Sequence, residues 1–242
     1  MRTVVAIIIG LSIILTGYVL GKAYNYKYNS VNTVSVIGGA EYDFSSDLVV
    51  WSAAYSRASY ELKDAYAALK SDEKQVRSYL QKSGIADSEI VFSSIVIDKQ
   101  FQYNYNDRGT LTSTTFTGYS LRQTVKVNSR SIDKVEKISR EITELLQSGI
   151  ELSSEQPAYY YTKLSDLKIK LLEKATEDAR VRAETIAKNA DSKLGDLKKA
   201  SMGVFQITGQ YSNEDYTYGG AFNTKDKDKT ASITVRLEYE LE

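Results

Sequence analysis

The stretch LSDLKIKLLEKATEDARVRAETIAKNA, residues 164–190, decides the fold. Leu164, Leu167, Leu171, Ala175, Ala179, Ala183, Ile186 and Ala190 recur at three- and four-residue steps, which places them on one side of an α-helix. Around them lie Lys170, Lys174, Glu177, Asp178, Arg180, Arg182, Glu184 and Lys188. Asp178 with Arg182, and Glu184 with Lys188, are acid-before-base pairs at the spacing that stabilises a helix surface. Alanine dominates the stripe, so its partner must come close, and a twisted β-sheet is the expected floor. Ser165 is the expected N-cap, with Asp166 in the positive first turn. Asp191 and Gly195 are the candidate left-handed residues that end the helix before a strand reaching Ala200.

Upstream, 33–163 reads as hairpins alternating with helices. Val34–Glu41 is a strand interrupted by Gly38-Gly39, a pair that marks a bulge or a close backbone approach. The glycines lack the Gly-Lys-Ser/Thr or GxGxxG context of a phosphate loop. Asp43–Ser46 is read as a turn, and Leu48–Arg57 as a strand with Val49, Trp51, Ala53 and Tyr55 on one face. Ser59–Ser83 is a helix closed by Gly84, and Glu89–Tyr103 a strand. Asn104–Thr110 is a hairpin loop leading into the strand Thr114–Asn128. Ser131–Gln147 is a second helix ended at Gly149, and Glu155–Thr162 an edge strand carrying the only proline, Pro157.

Downstream, Leu197–Thr208 is a strand and Gly209–Thr230 a long polar loop. Ile233, Val235, Leu237, Tyr239 and Leu241 then alternate with polar residues in a final strand with one buried face. The order β-β-α-β-β-α-β-α-β-β gives an α+β fold, with antiparallel or mixed sheets and helices packed on one face.

Val4–Leu20 is almost wholly apolar and long enough to span a bilayer as a transmembrane helix. Two readings stand: a signal anchor, or a signal peptide cleaved near Gly21-Lys22-Ala23. The expected organisation is an anchor or signal at 1–22, a polar aromatic linker at 23–32 and a folded domain at 33–242.

Composition removes whole classes of chemistry. The 242 residues hold 31 basic and 31 acidic side chains, so charge makes no case for nucleic acid. There is no cysteine and no histidine, which excludes disulfides, thiolate nucleophiles, zinc fingers and histidine-dependent triads. Glu173, Glu177, Asp178 and Glu184 lie among bases at pairing distance and read as a solvated helix face. Asp226 and Asp228 alternate with lysines and lack the acids and glycine of a calcium loop. No catalytic, cofactor-binding or metal-ligating residue is assigned.

Val36-Ile-Gly-Gly-Ala-Glu-Tyr42, Tyr79-Leu-Gln-Lys-Ser-Gly-Ile85, Gly118-Tyr-Ser-Leu-Arg122 with Val125-Lys-Val127, Leu145–Ile150, and above all the alanine-rich Ala175–Leu197 follow one another in order along the chain. In these strings and their order the chain resembles the SIMPL-domain family of exported bacterial proteins. The resemblance covers roughly residues 33–208. Ser46-Asp47 stands where relatives often carry Pro-Asp, and Asp191 where they often carry glycine; both exchanges suit turns. The resemblance implies an envelope protein without established catalytic residues or cofactor. It also implies homo-oligomers and a role related to immunogenic periplasmic and oxidative-stress-defence proteins.

The features left for function are the tyrosines, 19 in all. Tyr103 and Tyr105 mark one hairpin, with Tyr119 behind it; Tyr211, Tyr216, Tyr218 and Phe222 mark the long loop; Tyr159-Tyr160-Tyr161 is a third group. Tyrosine gives large contact area at low entropic cost, but it also covers sheets. The expectation is a non-enzymatic envelope protein working by protein contacts or self-assembly. It is held at the bacterial inner membrane through residues 4–20 with its domain in the periplasm, or is secreted there after cleavage. The alternatives are a glycan-binding module using the tyrosine loops and an unrecognised hydrolase using carboxylates.

Overall fold

The computed structural model describes residues 2–28 and 32–242. Its N-terminal helix α1 spans Arg2–Tyr28 and so continues beyond the apolar run into residues read as linker; 29–31 lie outside the described residues. Ile7–Tyr24 has a mean hydropathy of 1.7, and none of it is buried in the fold. That helix is long and apolar enough to cross a membrane, a property a signal sequence shares.

The rest forms two α+β lobes. In the first, β1 (Thr33–Ser45) pairs antiparallel with β10 (Asp228–Leu241). The other side of β10 takes β8 (Leu194–Met202) and β9 (Gln206–Gly209) in succession, both antiparallel. Helix α4 (Leu164–Asn189) lies on β1 and β10, burying Leu167, Leu171, Ala175, Ala179 and Ala183 against Val34, Val36, Ile233, Val235 and Leu237, with Ala187 also buried near its end. The alanines admit the close approach, and Gly38 completes it: a Cβ there would overlap the backbone of Ala175 and Ala179.

The second lobe is a six-stranded antiparallel sheet. Its centre is β2 (Leu48–Ser59) against β5 (Leu111–Ser129). β3 (Ile90–Phe92) and β4 (Val96–Tyr105) flank β5; β6 (Leu152–Ser154) and β7 (Ala158–Tyr160) flank β2. Helices α2 (Leu62–Lys82) and α3 (Ile132–Glu141) cover one face, enclosing Val49, Trp51, Tyr55, Leu121, Val125 and Val127. Within this lobe the Arg57 guanidinium donates twice to the buried Asp72, at 2.5 and 2.9 Å.

Several boundaries differ from the sequence reading. Asp43–Ser45 is not a turn but the end of β1, still paired with Asp228–Thr230. The expected strand 89–103 splits into β3 and β4, because Ser93 leaves the ladder to bond with Gln123 and Thr124. The second helix becomes a 3₁₀ run over Ile142–Ser148 before Gly149 takes the left-handed conformation. Of the strand expected at 155–162 only β7 forms, with β6 an unexpected short strand just before it, and the strand expected at 197–208 divides into β8 and β9; all four lie on the flank of a longer strand. Ser165 is not the cap of α4: Lys163 holds that position, without a capping side chain. Ile186 is about half exposed, and Ala187 takes the buried place. Asp191 adopts a positive φ of 53°, whereas Gly195 is ordinary strand in β8.

Candidate contact surface

Several charged side chains make structural bonds. Asp178 accepts from the Gly39 amide and pairs with Arg182, which together hold its carboxyl below the usual range. Glu184 pairs with Arg180 at 2.8 Å rather than with Lys188, the partner its spacing predicted. Among the described residues, no group of three or more acidic side chains is arranged to hold a metal ion.

The loop between β9 and β10 is pinned by two buried amides. The Gln206 side chain accepts from the Ala221 and Thr217 amides and donates to the Thr217 carbonyl. Asn223 Oδ1 accepts from the Lys225 and Asp226 amides, while its Nδ2 donates to Glu214 and Asp226. Lys229 Nζ, buried, donates to the Tyr159 carbonyl at 2.6 Å and ties this lobe to β7 of the other. Burial lowers its pKa to about 8, against the opposing pull of Asp226 and Glu214. The Tyr159 hydroxyl donates to Glu136 on α3, and Lys227 reaches Asp133 on the same helix.

The tyrosines divide accordingly. Tyr159 is core, Tyr119 packs on the core, and Tyr161 meets Phe44 in a tilted ring contact with centroids 4.8 Å apart. Tyr216 is tethered through its hydroxyl to Ser232, and Phe222 bridges Ile207 through its backbone while its ring stays exposed. Tyr211 and Tyr218 are fully in solvent. Tyr103 and Tyr105 lie on β4, in the other sheet, so the two groups are not parts of one site.

The β4–β5 hairpin is the most unusual surface. Every residue of β4 is exposed. β5 pairs with β2 only from Tyr119 onward, so Gln100–Tyr105 and Leu111–Gly118 form a ribbon paired only with itself. A bare two-stranded ribbon is marginal in water. Gly118, at φ 138°, marks where it leaves the sheet; a Cβ there would strike the Ser59 carbonyl. Phe101 sits opposite Phe116, and Phe116 also makes edge contacts with Tyr60 and Tyr119 at 5.5 and 5.2 Å. Phe101, Tyr60 and Phe116 therefore extend the Tyr103 and Tyr105 surface. They were missed in the sequence, although Phe101 shares their two-residue spacing.

The family model for SIMPL, described as a protein of unknown function (DUF541), matches residues 34–239. The chain belongs to the SIMPL family. Comparison with curated proteins found no match. The SIMPL match spans both lobes and includes the ribbon, the pinned loop and the α4 stripe. It carries no assigned activity. Together with the apolar α1, the SIMPL domain is compatible with an envelope location reached by a signal anchor or a signal peptide.

Proposed function

We propose that this SIMPL protein is a membrane-tethered component of a bacterial envelope that acts through contacts between folded domains, first with copies of itself, and not by catalysis. The observation that carries this reading is the ribbon. β4 is an edge strand, and from Gln100 to Asn106 it has no charge and no proline, the features that normally guard an edge. Phe101, Tyr103 and Tyr105 along it, and Leu111 across the hairpin on β5, are each about half exposed. Pairing of two β4 edges satisfies their free backbone groups and buries the aromatic side chains. The unburied apolar run Ile7–Tyr24 of α1 supports tethering to a membrane. The engagement of Asp178, Lys229 and Tyr159 in structural bonds supports a non-enzymatic role. Envelope stress defence is the setting that the family resemblance favours.

Light scattering after size exclusion of the full chain in a non-ionic detergent tests assembly. A mass that is a multiple of 27.1 kDa, falling to one chain when Phe101→Lys and Tyr103→Lys are combined, is expected. A single-chain mass at every concentration sinks the proposal.

A second reading, a glycan-binding module, rests on Tyr211 and Tyr218 standing in solvent on a loop pinned by Gln206 and Asn223. Retention on cell-wall material that is lost in Tyr218→Ala supports it; no retention of the parent protein removes it.

A further inference from the structure

Between β1 and the first turns of α4 lies a cleft of about 490 Å³, within the size range of small-ligand sites. Lys163, Lys170 and Lys174 line it from the helix, Tyr42 and Tyr161 from the sheet side, and Asp166 is its one acid.

Only Lys163, at the N-cap, lies where the helix dipole opposes a cation; Lys170 and Lys174 follow in later turns, and α4 opens without a capping side chain. Among the described residues, none of the three has a carboxylate within 4 Å. Farther along the same helix the arrangement reverses, and Arg180 and Arg182 are both paired with acids. Lys174 instead lies over the Tyr42 ring, 5.8 Å from its centroid. Tyr161 is braced by Phe44, so its ring is held in place at the wall. A concave site walled by rings and carrying excess positive charge concentrates the field on whatever enters it.

We propose that this cleft binds an acidic saccharide, a sugar carrying carboxylate or phosphate groups. The lysine ammonium groups meet the anionic oxygens as charge-assisted donors. The tyrosines offer ring faces to the apolar side of the sugar. Asp166, beside them, accepts from sugar hydroxyls. The site is separate from the ribbon and does not depend on assembly.

Calorimetric titration of the full chain in non-ionic detergent tests this, with an oligogalacturonate as the carboxylate probe and glucose 6-phosphate as the phosphate probe. Maltotetraose and inorganic phosphate are the probes lacking charge or ring. The expected result is saturable, salt-sensitive binding of at least one acidic sugar. Either control binds at least about tenfold more weakly, a difference of about 1.4 kcal/mol. Combined Lys170→Gln and Lys174→Gln weakens acidic-sugar binding by a similar factor. Lys188→Gln, an exposed change in the last turn of α4, leaves it unchanged. The proposal is overturned if neither acidic sugar saturates, if either control binds equally well, or if Lys188→Gln weakens binding as much as the cleft pair. The relative strength of the two acidic probes identifies the anionic group.

Discussion

The Gly39 backbone N–H donates to Asp178 Oδ2 across 2.9 Å, binding the outer strand of a sheet to the helix that covers it. β1 is paired on one side only, so its outward amides need a partner other than a strand. One carboxylate from the polar flank of α4 supplies it, and Arg182 in turn holds that carboxylate.

Asp178→Asn should weaken this clasp in a pH-dependent way. The folded chain holds the Asp178 carboxyl below its usual value through the Gly39 bond first and Arg182 second. Its contribution is therefore present above the unfolded pKa and is lost as pH falls through the folded one. Urea unfolding should separate parent and variant near neutral pH and bring them together as pH falls below the lowered folded pKa, where both states of the parent carry the proton. An equal difference at both ends of that range contradicts this.

Gly38→Ala and Gly39→Ala form a matched pair. The first drives a methyl into the backbone of α4, while the second meets only the Ile233 carbonyl oxygen at 3.8 Å. Gly38→Ala should cost about 3 kcal/mol and Gly39→Ala less than about 1, read from denaturation midpoints. Equal effects argue against helix approach as the reason for the glycine.

Asp72→Ala removes the carboxylate from a bidentate pair. Asp72 is buried, while the Arg57 side chain stays about one-third exposed and can rehydrate. The expected loss is about 2–3 kcal/mol, at or below the low end for a fully buried pair. No loss means that the pair adds nothing beyond its packing.

Lys229 sets an alkaline signature. Its pKa is lowered to about 8 by burial, so between there and the unfolded value of about 10.4 the unfolded chain binds more protons, and stability rises with pH. Tyr159 acts oppositely: burial, reinforced by Glu136, raises its pKa to about 12, so stability falls once unfolded tyrosines ionise above about pH 10. Lys229→Met should abolish the rise and keep the fall. A parent protein whose stability is flat over the first interval contradicts the assignment.

The fold was legible where one buried face alternates with one wet face. β2, β5 and β10 carry that period, and Gly84 and Gly149 end their helices in the left-handed conformation the sequence indicated. Ile186 was misplaced for a geometric reason. The buried residues of α4 follow strict four-residue steps, which turn about 40° per step around a 3.6-residue helix. The buried line thus winds around α4 along the twist of the sheet, and Ala187 rather than Ile186 meets it. The break at Ser93-Ser94 had no glycine or proline to announce it. For the candidate site, Tyr103 and Tyr105 were visible by residue type, but the bareness of their ribbon was not. Alternation in β4 reads the same whether its apolar face is covered by another layer, by another chain or by water. The cleft was hidden more deeply, because Tyr42 and Lys170 meet only once β1 and α4 are packed.

The most direct measurement of edge-to-edge assembly uses the absence of cysteine in the chain. Tyr103→Cys places a single thiol on the exposed β4 edge, and Glu173→Cys places one on the exposed face of α4. Mild oxidation of each full-length protein in membranes, followed by non-reducing electrophoresis, reads which surfaces meet. A covalent dimer from Tyr103→Cys, with Glu173→Cys remaining monomeric, is the predicted result. A monomer from Tyr103→Cys, or equal dimer yields from the two, would contradict assembly through the ribbon.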